Sequence, residues 1–218
     1  MHGWSGPGML FLRMHDLTGE ETWLDATVQA LRMDLDQCVR TPSGALQVEQ
    51  PGVRTLSYLE TGSAGILLAA TQLLARRHDS EIGQAVPQLI RACAPELVLQ
   101  ANLWNGRAGL LAALALLGPP YRTEAAPLIE RHLSRLGWHA VSFRGHIAFP
   151  GDQSLRLSMD LATGTAGVLT AVHTARTGGT APFLPLLPPM AAEDRYVPRD
   201  RPTARSRRPC STADSPAS

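Results

Sequence analysis

Lysine is absent from this sequence, and all 20 basic residues are arginine. That absence excludes a Walker-type phosphate loop, whose Lys reaches the phosphates. It also excludes a Schiff-base Lys and a protein-kinase centre built on the strand Lys. Cysteine is scarce: Cys38, Cys93 and Cys210 are an odd number at wide gaps. Neither a disulfide framework nor a C-x-x-C metal or redox pair follows from them. No sign of charge dominates, since 19 acidic residues leave a net charge of +1. A general attraction to nucleic acid or to an acidic membrane surface is therefore not expected. Long apolar runs are missing too. The longest, Ala108 to Leu117, is too short to span a bilayer. Residues 1–14 show no basic leader or cleavage site, so no secretory signal is read there. A reducing, cytoplasmic setting is the expectation.

What is present suffices for a core. The 218 residues are 44% hydrophobic and 18% charged, enough for one ordinary domain or two small ones. A short pattern recurs four times: Gly-x-x-Gly leading into an apolar stretch. The copies begin at Gly3, Gly62, Gly106 and Gly164, which lie 59, 44 and 58 residues apart. The last three agree closely, as TGSAGILLAA, NGRAGLLAAL and TGTAGVLTAV. Each reads as a loop running into a helix that is apolar on nearly all sides and hence buried. The first Gly is expected to permit an unusual backbone angle, and the second a close backbone approach.

Amphipathic helices are predicted between these stretches, over residues 21–38, 81–98 and 123–136, with Pro87 kinking or delaying the second. In the third, Ala125, Ile129, Leu133 and Leu136 share a face. A buried inner helix followed by an amphipathic outer one, repeated about an axis, predicts an all-α fold. It is an α/α toroid, a partial barrel of about four helical-hairpin repeats. Residues 45–49 and 139–149 read as short extended hairpins over the cavity mouth. Residues 1–187 form the expected toroid domain. Residues 188–218, rich in Pro, Arg and Ser, read as a disordered tail. No aromatic cluster accompanies the Arg there, so the tail is not read as a nucleic-acid arm.

GWSGP at 3–7, YLETGSAGI at 58–66, LWNGRAGL at 103–110 and RLSMDLATGTAGVL at 156–169 together resemble the lanthionine synthetase C-like cyclase domain. The similarity is greatest to the zinc-less domain at the C-terminus of class III lanthipeptide synthetases, and it covers about residues 2–187. The resemblance implies the addition of a peptide Cys thiol to dehydroalanine or dehydrobutyrine, forming a thioether ring. It implies a dehydrated precursor peptide as substrate. It also implies a lyase- and kinase-containing synthetase that makes the dehydro residue. The family toroid has more hairpins than the four repeats here, so the chain looks like the later part of a cyclase domain. Self-association is one way to complete it.

Zinc-dependent relatives place Cys or His just before the repeat glycines. Here those positions hold Thr61, Asn105, Ala162 and Thr163. None is a soft ligand, and a zinc site needs three or four converging Cys, His or carboxylates. The expectation is no metal and no other cofactor.

Without zinc, the free N–H groups of the repeat helices are the expected anion stabilisers for a thiolate or enolate. Candidate catalytic residues are Arg107, Asp160, Glu60 and His146. Arg107 would steady an enolate, or else pair with Glu60 or Asp160 to hold the loops. Glu60 and Asp160 would act as base or as helix caps. His146 is the general-acid candidate on a loop over the cavity. Candidate substrate-binding residues are Trp104, Asn105, Tyr58, Thr61 and Thr163. His173, on an inner helix, reads as a satisfied core residue, and Cys38 and Cys93 as small hydrophobes within helices. Two other readings stand beside the cyclase. One is a non-catalytic remnant or precursor-binding module. The other is a glycosidase-like toroid using two of Glu60, Asp152 and Asp160.

Overall fold

A computed structural model describes residues 3–50 and 54–177. The end of the expected toroid domain at 187 and the tail 188–218 lie outside the described residues. Seven α-helices are present among them: α1 (Ser5–Thr18), α2 (Thr22–Leu35), α3 (Ser63–Leu74), α4 (Ser80–Ala92), α5 (Arg107–Ala115), α6 (Arg122–Leu136) and α7 (Thr165–Thr177). The odd-numbered helices are the inner ones. Each packs on the next, α1 on α3, α3 on α5 and α5 on α7, while α2, α4 and α6 pack outside as hairpin partners. Three hairpins and the inner helix of a fourth are thus in place, as the all-α toroid reading requires. None of these helices is long and apolar enough to cross a membrane.

Burial follows the sequence pattern. In α5 every residue from Arg107 to Ala115 is buried. In α4, by contrast, Ile82, Ala85, Val86, Leu89 and Ile90 form a single buried face. Asp79 caps α4, accepting the Glu81 and Ile82 amides at 3.1 and 3.0 Å. Pro87 stays inside the helix, which ends at Ala92 instead of 98 because Pro95 follows. The predicted helix 21–38 also stops early, at Leu35.

Cys38 lies instead in β1 (Cys38–Arg40), which pairs antiparallel with β2 (Leu46–Gln50). Strand β3 (Arg54–Leu56) completes a three-stranded meander, where a hairpin was expected. The second extended stretch is a hairpin of β4 (Val141–Phe143) and β5 (His146–Ala148).

Candidate functional site

The loops before α3, α5 and α7 follow one template. The residue two before the repeat glycine reaches the same position of the next repeat. Glu60 N–H donates to the Trp104 carbonyl at 3.0 Å, and Trp104 N–H donates to the Ala162 carbonyl at 3.1 Å. These backbone rungs gather Glu60, Thr61, Trp104, Asn105, Ala162 and Thr163 at one end of the inner helices. The residue three before is Leu59, Leu103 or Leu161.

The first glycines have a reason other than the expected one at three loops, those of Gly62, Gly106 and Gly164. Gly3 does adopt the left-handed region, with φ of 93°. Gly62 and Gly106 are extended, with φ of 171° and −143°. What excludes a side chain is space. A Cβ on Gly62 would lie 2.6 Å from the Tyr58 nitrogen, and one on Gly106 2.5 Å from the Asn102 nitrogen. The second glycines do permit close approach. A Cβ on Gly109 would meet the Leu103 carbonyl oxygen at 2.1 Å, and one on Gly167 the Leu161 oxygen at 2.0 Å.

Polar side chains then fix the loops. The Asn105 amide donates to the Glu60 carboxylate, tying repeats two and three across the mouth. Asn102 Oδ1 accepts Asn105 N–H at 2.8 Å. At the equivalent place Asp160 accepts Thr163 N–H at 2.6 Å, the Thr163 hydroxyl at 2.9 Å and the Ser158 hydroxyl. The Ser158 hydroxyl first, then the Thr163 N–H, pulls the Asp160 carboxyl down to about 2. Asp160 is therefore an ionised loop fastener, bonded to Thr163 ahead of α7 and not a cap on the helix itself. In the first repeat Asp34 of α2 does this work, accepting Trp4 N–H at 2.8 Å and Ser5 N–H at 2.6 Å. A cavity of about 260 Å³ opens beside it, lined by Gly3, Asp34, Glu49, Thr61, Gly62 and others. A larger cavity of about 690 Å³ lies at the opposite end of the inner helices, among Leu74, His78, Leu116 and Tyr121. It is remote from these loops.

Three expectations are corrected here. First, opening N–H groups of α3, α5 and α7 are already bonded to their own loops. Arg107 and Ala108 N–H donate to the Gln100 and Ala101 carbonyls at 2.9 and 3.0 Å, Ala64 N–H to Ser57 at 3.1 Å, and Thr165 N–H to Ser158 at 2.8 Å. These four donors are therefore taken by loop carbonyls. Second, Arg107 pairs with neither Glu60 nor Asp160. It is fully buried and turns outward toward α6, where it donates to His132 Nδ1 at 3.3 Å and to the Glu96 carbonyl at 3.1 Å. Its Nε has no partner. Burial first, then Arg135 and Arg131, lowers its proton affinity. Third, His173 is exposed on α7.

His146 is exposed on β5, opposite Phe143. The hairpin is tied to α7 by the Phe149 N–H donating to Thr165 Oγ1 at 3.0 Å. Tyr58 and Trp104 are half-buried and pack against the core. Cys93 is buried and Cys38 half-buried, and burial pushes both thiols up to about 12. Neither is a ready thiolate.

Sequence reasoning missed His132. Fully buried, its Nε2–H donates to the Cys93 carbonyl at 2.8 Å. Burial first, then the nearby Arg107, Arg131 and Arg135, pushes it down to about 4. Its folded-state value lies below the ordinary 6.5, so the unfolded chain takes up this proton first. The contribution is whole above the ordinary value and lost as pH falls toward the folded one. Between pH 7 and pH 5 the chain should lose about 2 kcal/mol, read as a lower urea midpoint. The variant His132→Gln should flatten that difference, and a wild-type midpoint equal at both pH values would refute the assignment.

The donor set does not fit a zinc ion. Thr61, Asn105, Ala162 and Thr163, gathered at the mouth, offer hydroxyl, amide and methyl groups and no thiolate or imidazole. Among the described residues no cluster of three His, Cys, Asp or Glu is placed to hold a metal.

Glycine-opened inner helices, outer helical partners and a polar mouth define a protein of the α/α-toroid class. Within that class, a family model described as lanthionine synthetase C-like protein matches residues 1–178, and the chain belongs to that family. It is 42% identical over 190 residues, 87% of its length, to a probable SapB synthase of Streptomyces coelicolor (strain ATCC BAA-471 / A3(2) / M145). The chain spans 20% of that relative's length.

Proposed function

We propose that this chain is a zinc-independent, class III type cyclase unit of a lanthipeptide synthetase, acting on a dehydrated precursor peptide. The observation that carries the proposal is the family's repeat mouth with hydroxyl, amide and methyl groups where zinc ligands would stand. The reaction adds a Cys sulfur to the β-carbon of dehydroalanine or dehydrobutyrine. The C–S bond forms, the alkene pair moves to the α-carbon, and the thiol proton ends on that carbon. A carboxylate serves the transfer by taking the proton from sulfur and returning it to carbon. Glu60, held by the Asn105 amide at the mouth, is the residue assigned this role. Thr61, Thr163, Trp104 and Tyr58 are assigned the peptide-lining positions. The lyase and kinase-like steps that make the dehydro residue come from the rest of a synthetase. The reading places the chain in the cytoplasm, where peptide thiols stay reduced.

The test incubates the purified chain with a dehydroalanine-containing Cys peptide and counts free thiols by alkylation and mass. Thiol loss should exceed the enzyme-free rate, and Glu60→Gln should slow it roughly tenfold or more without changing the circular dichroism. Equal rates for the two folded proteins would remove Glu60 from the mechanism.

A second reading, a precursor-binding module without turnover, is favoured by two observations. Arg107 faces away from the mouth, and loop carbonyls occupy the opening N–H groups. Saturable binding of the labelled peptide with no acceleration of thiol loss would select it.

A further inference from the structure

We propose that the rim loop at residues 151–155 sets the aim of Glu60 through a relay of three carboxamides, Gln100, Asn102 and Asn105. This control rests on the reading of Glu60 as the base. Gln100 and Asn102 are positioning residues in it.

The relay joins the loops of repeats two, three and four. Gln153 N–H donates to Gln100 Oε1 at 3.3 Å, and Asn102 Nδ2 donates to the same oxygen at 2.7 Å. Asn102 Oδ1 accepts Asn105 N–H at 2.8 Å, and the Asn105 amide donates to the Glu60 carboxylate. A backbone N–H can only donate, so it fixes which end of a carboxamide faces it. Gln153 thus claims the oxygen of Gln100, and that oxygen claims the nitrogen of Asn102. Asn102 is left with its oxygen for Asn105. It is fully buried, with no water to fall back on. Gln100 is anchored on its main chain, where its carbonyl accepts Arg107 N–H at 2.9 Å.

The first link is the conditional one. Gln153 sits at φ 50° and ψ 16°, and Ser154 at φ 58°. Two successive non-glycine residues in the left-handed region are strained. Both are exposed at the rim, where an incoming peptide meets them. A relaxed loop swings the Gln153 N–H away and leaves the Gln100 side chain free to turn. Asn102 and Asn105 then lose their fixed orientation. The Asn105 amide is presented to Glu60 in this way only while the rim keeps its strained turn, so loop and base form one two-state element.

Isotope-edited NMR of the labelled chain, run beside the thiol-loss assay, tests the relay. Gln153→Pro removes the N–H and forbids a positive φ. Gln100→Leu removes the shared oxygen. Each should shift the Asn105 side-chain amide and Glu60 carboxyl resonances, and each should lower kcat roughly tenfold with KM nearly unchanged. Two controls keep the relay. Gln153→Gly retains the N–H and adopts the turn without strain, and Gln100→Glu retains an oxygen for both donors. Both should leave those resonances and kcat close to the wild type. Circular dichroism checks folding throughout, and Gln153 is exposed, so its variants leave the core intact even if Gln100→Leu does not. Resonances unmoved in a folded Gln153→Pro chain overturn the proposal, and so does an unchanged kcat in an active one. If the wild-type chain shows no thiol loss above the enzyme-free rate, the reading of Glu60 as the base fails, and the resonances alone decide the relay.

Discussion

Replacing Gly109 by alanine should lower stability by roughly 3 kcal/mol or more, a fall of about 6–12 °C in Tm. The new methyl carbon would sit 2.1 Å from the Leu103 carbonyl oxygen and 3.0 Å from Leu59 Cβ. The first neighbour is backbone, held by the Trp104 rung to Ala162 next to it in sequence. It has no rotamer into which to retreat, so relief requires moving a whole loop. The comparison is Gly83→Ala in the outer helix α4. Nothing lies within 4 Å of a Cβ there, and a helical Gly→Ala change should stabilise by about 0.5–1 kcal/mol. Differential scanning calorimetry of the two variants decides the matter. If Gly109→Ala melts with the wild type, close backbone approach is not why the glycine is there.

Arg107→Ala should cost roughly 3–4 kcal/mol. The change empties a fully buried site and strips a donor from His132 and from the Glu96 carbonyl. Arg135 also donates to that carbonyl, at 3.0 Å, so one of the two acceptors keeps a partner. Arg107→Met preserves most of the volume and should lose about half as much, since a buried charge also carries a desolvation cost. Chemical denaturation measures both. On the proposed cyclase reading, thiol loss per folded molecule should be unchanged in Arg107→Met, because the guanidinium faces α6 and not the mouth. A folded methionine variant without peptide chemistry would return Arg107 to the site.

The inner helices were legible because glycine and small apolar residues at fixed offsets mark a buried helix start in any repeat. The loop fasteners were half legible. Asp160 announces a polar role at a helix entry, though its partner is loop residue Thr163 and not the helix, and its counterpart Asn102 is visible only when the repeats are aligned on their glycines. The direction of Arg107 was not legible. A long side chain on the first turn of a helix reaches either the mouth or the outer layer, and what decides is His132, 25 residues on. Periodicity also does not mark where an amphipathic helix gives way to a strand. Cys38 satisfies both patterns, and pairing with Val48 settles it.

The backbone rung and the leucine–glycine contact ignore what lies between successive repeats. The spacing of 44 residues carries only helices, while the spacings of 59 and 58 also carry the three-stranded meander and the β4–β5 hairpin. The same join closes over the lengths of 44 and 58. Strands of this kind can therefore be acquired, lengthened or discarded between helices without disturbing the ring wall. A rim element can then change length while the glycines and leucines beneath it keep the wall joined.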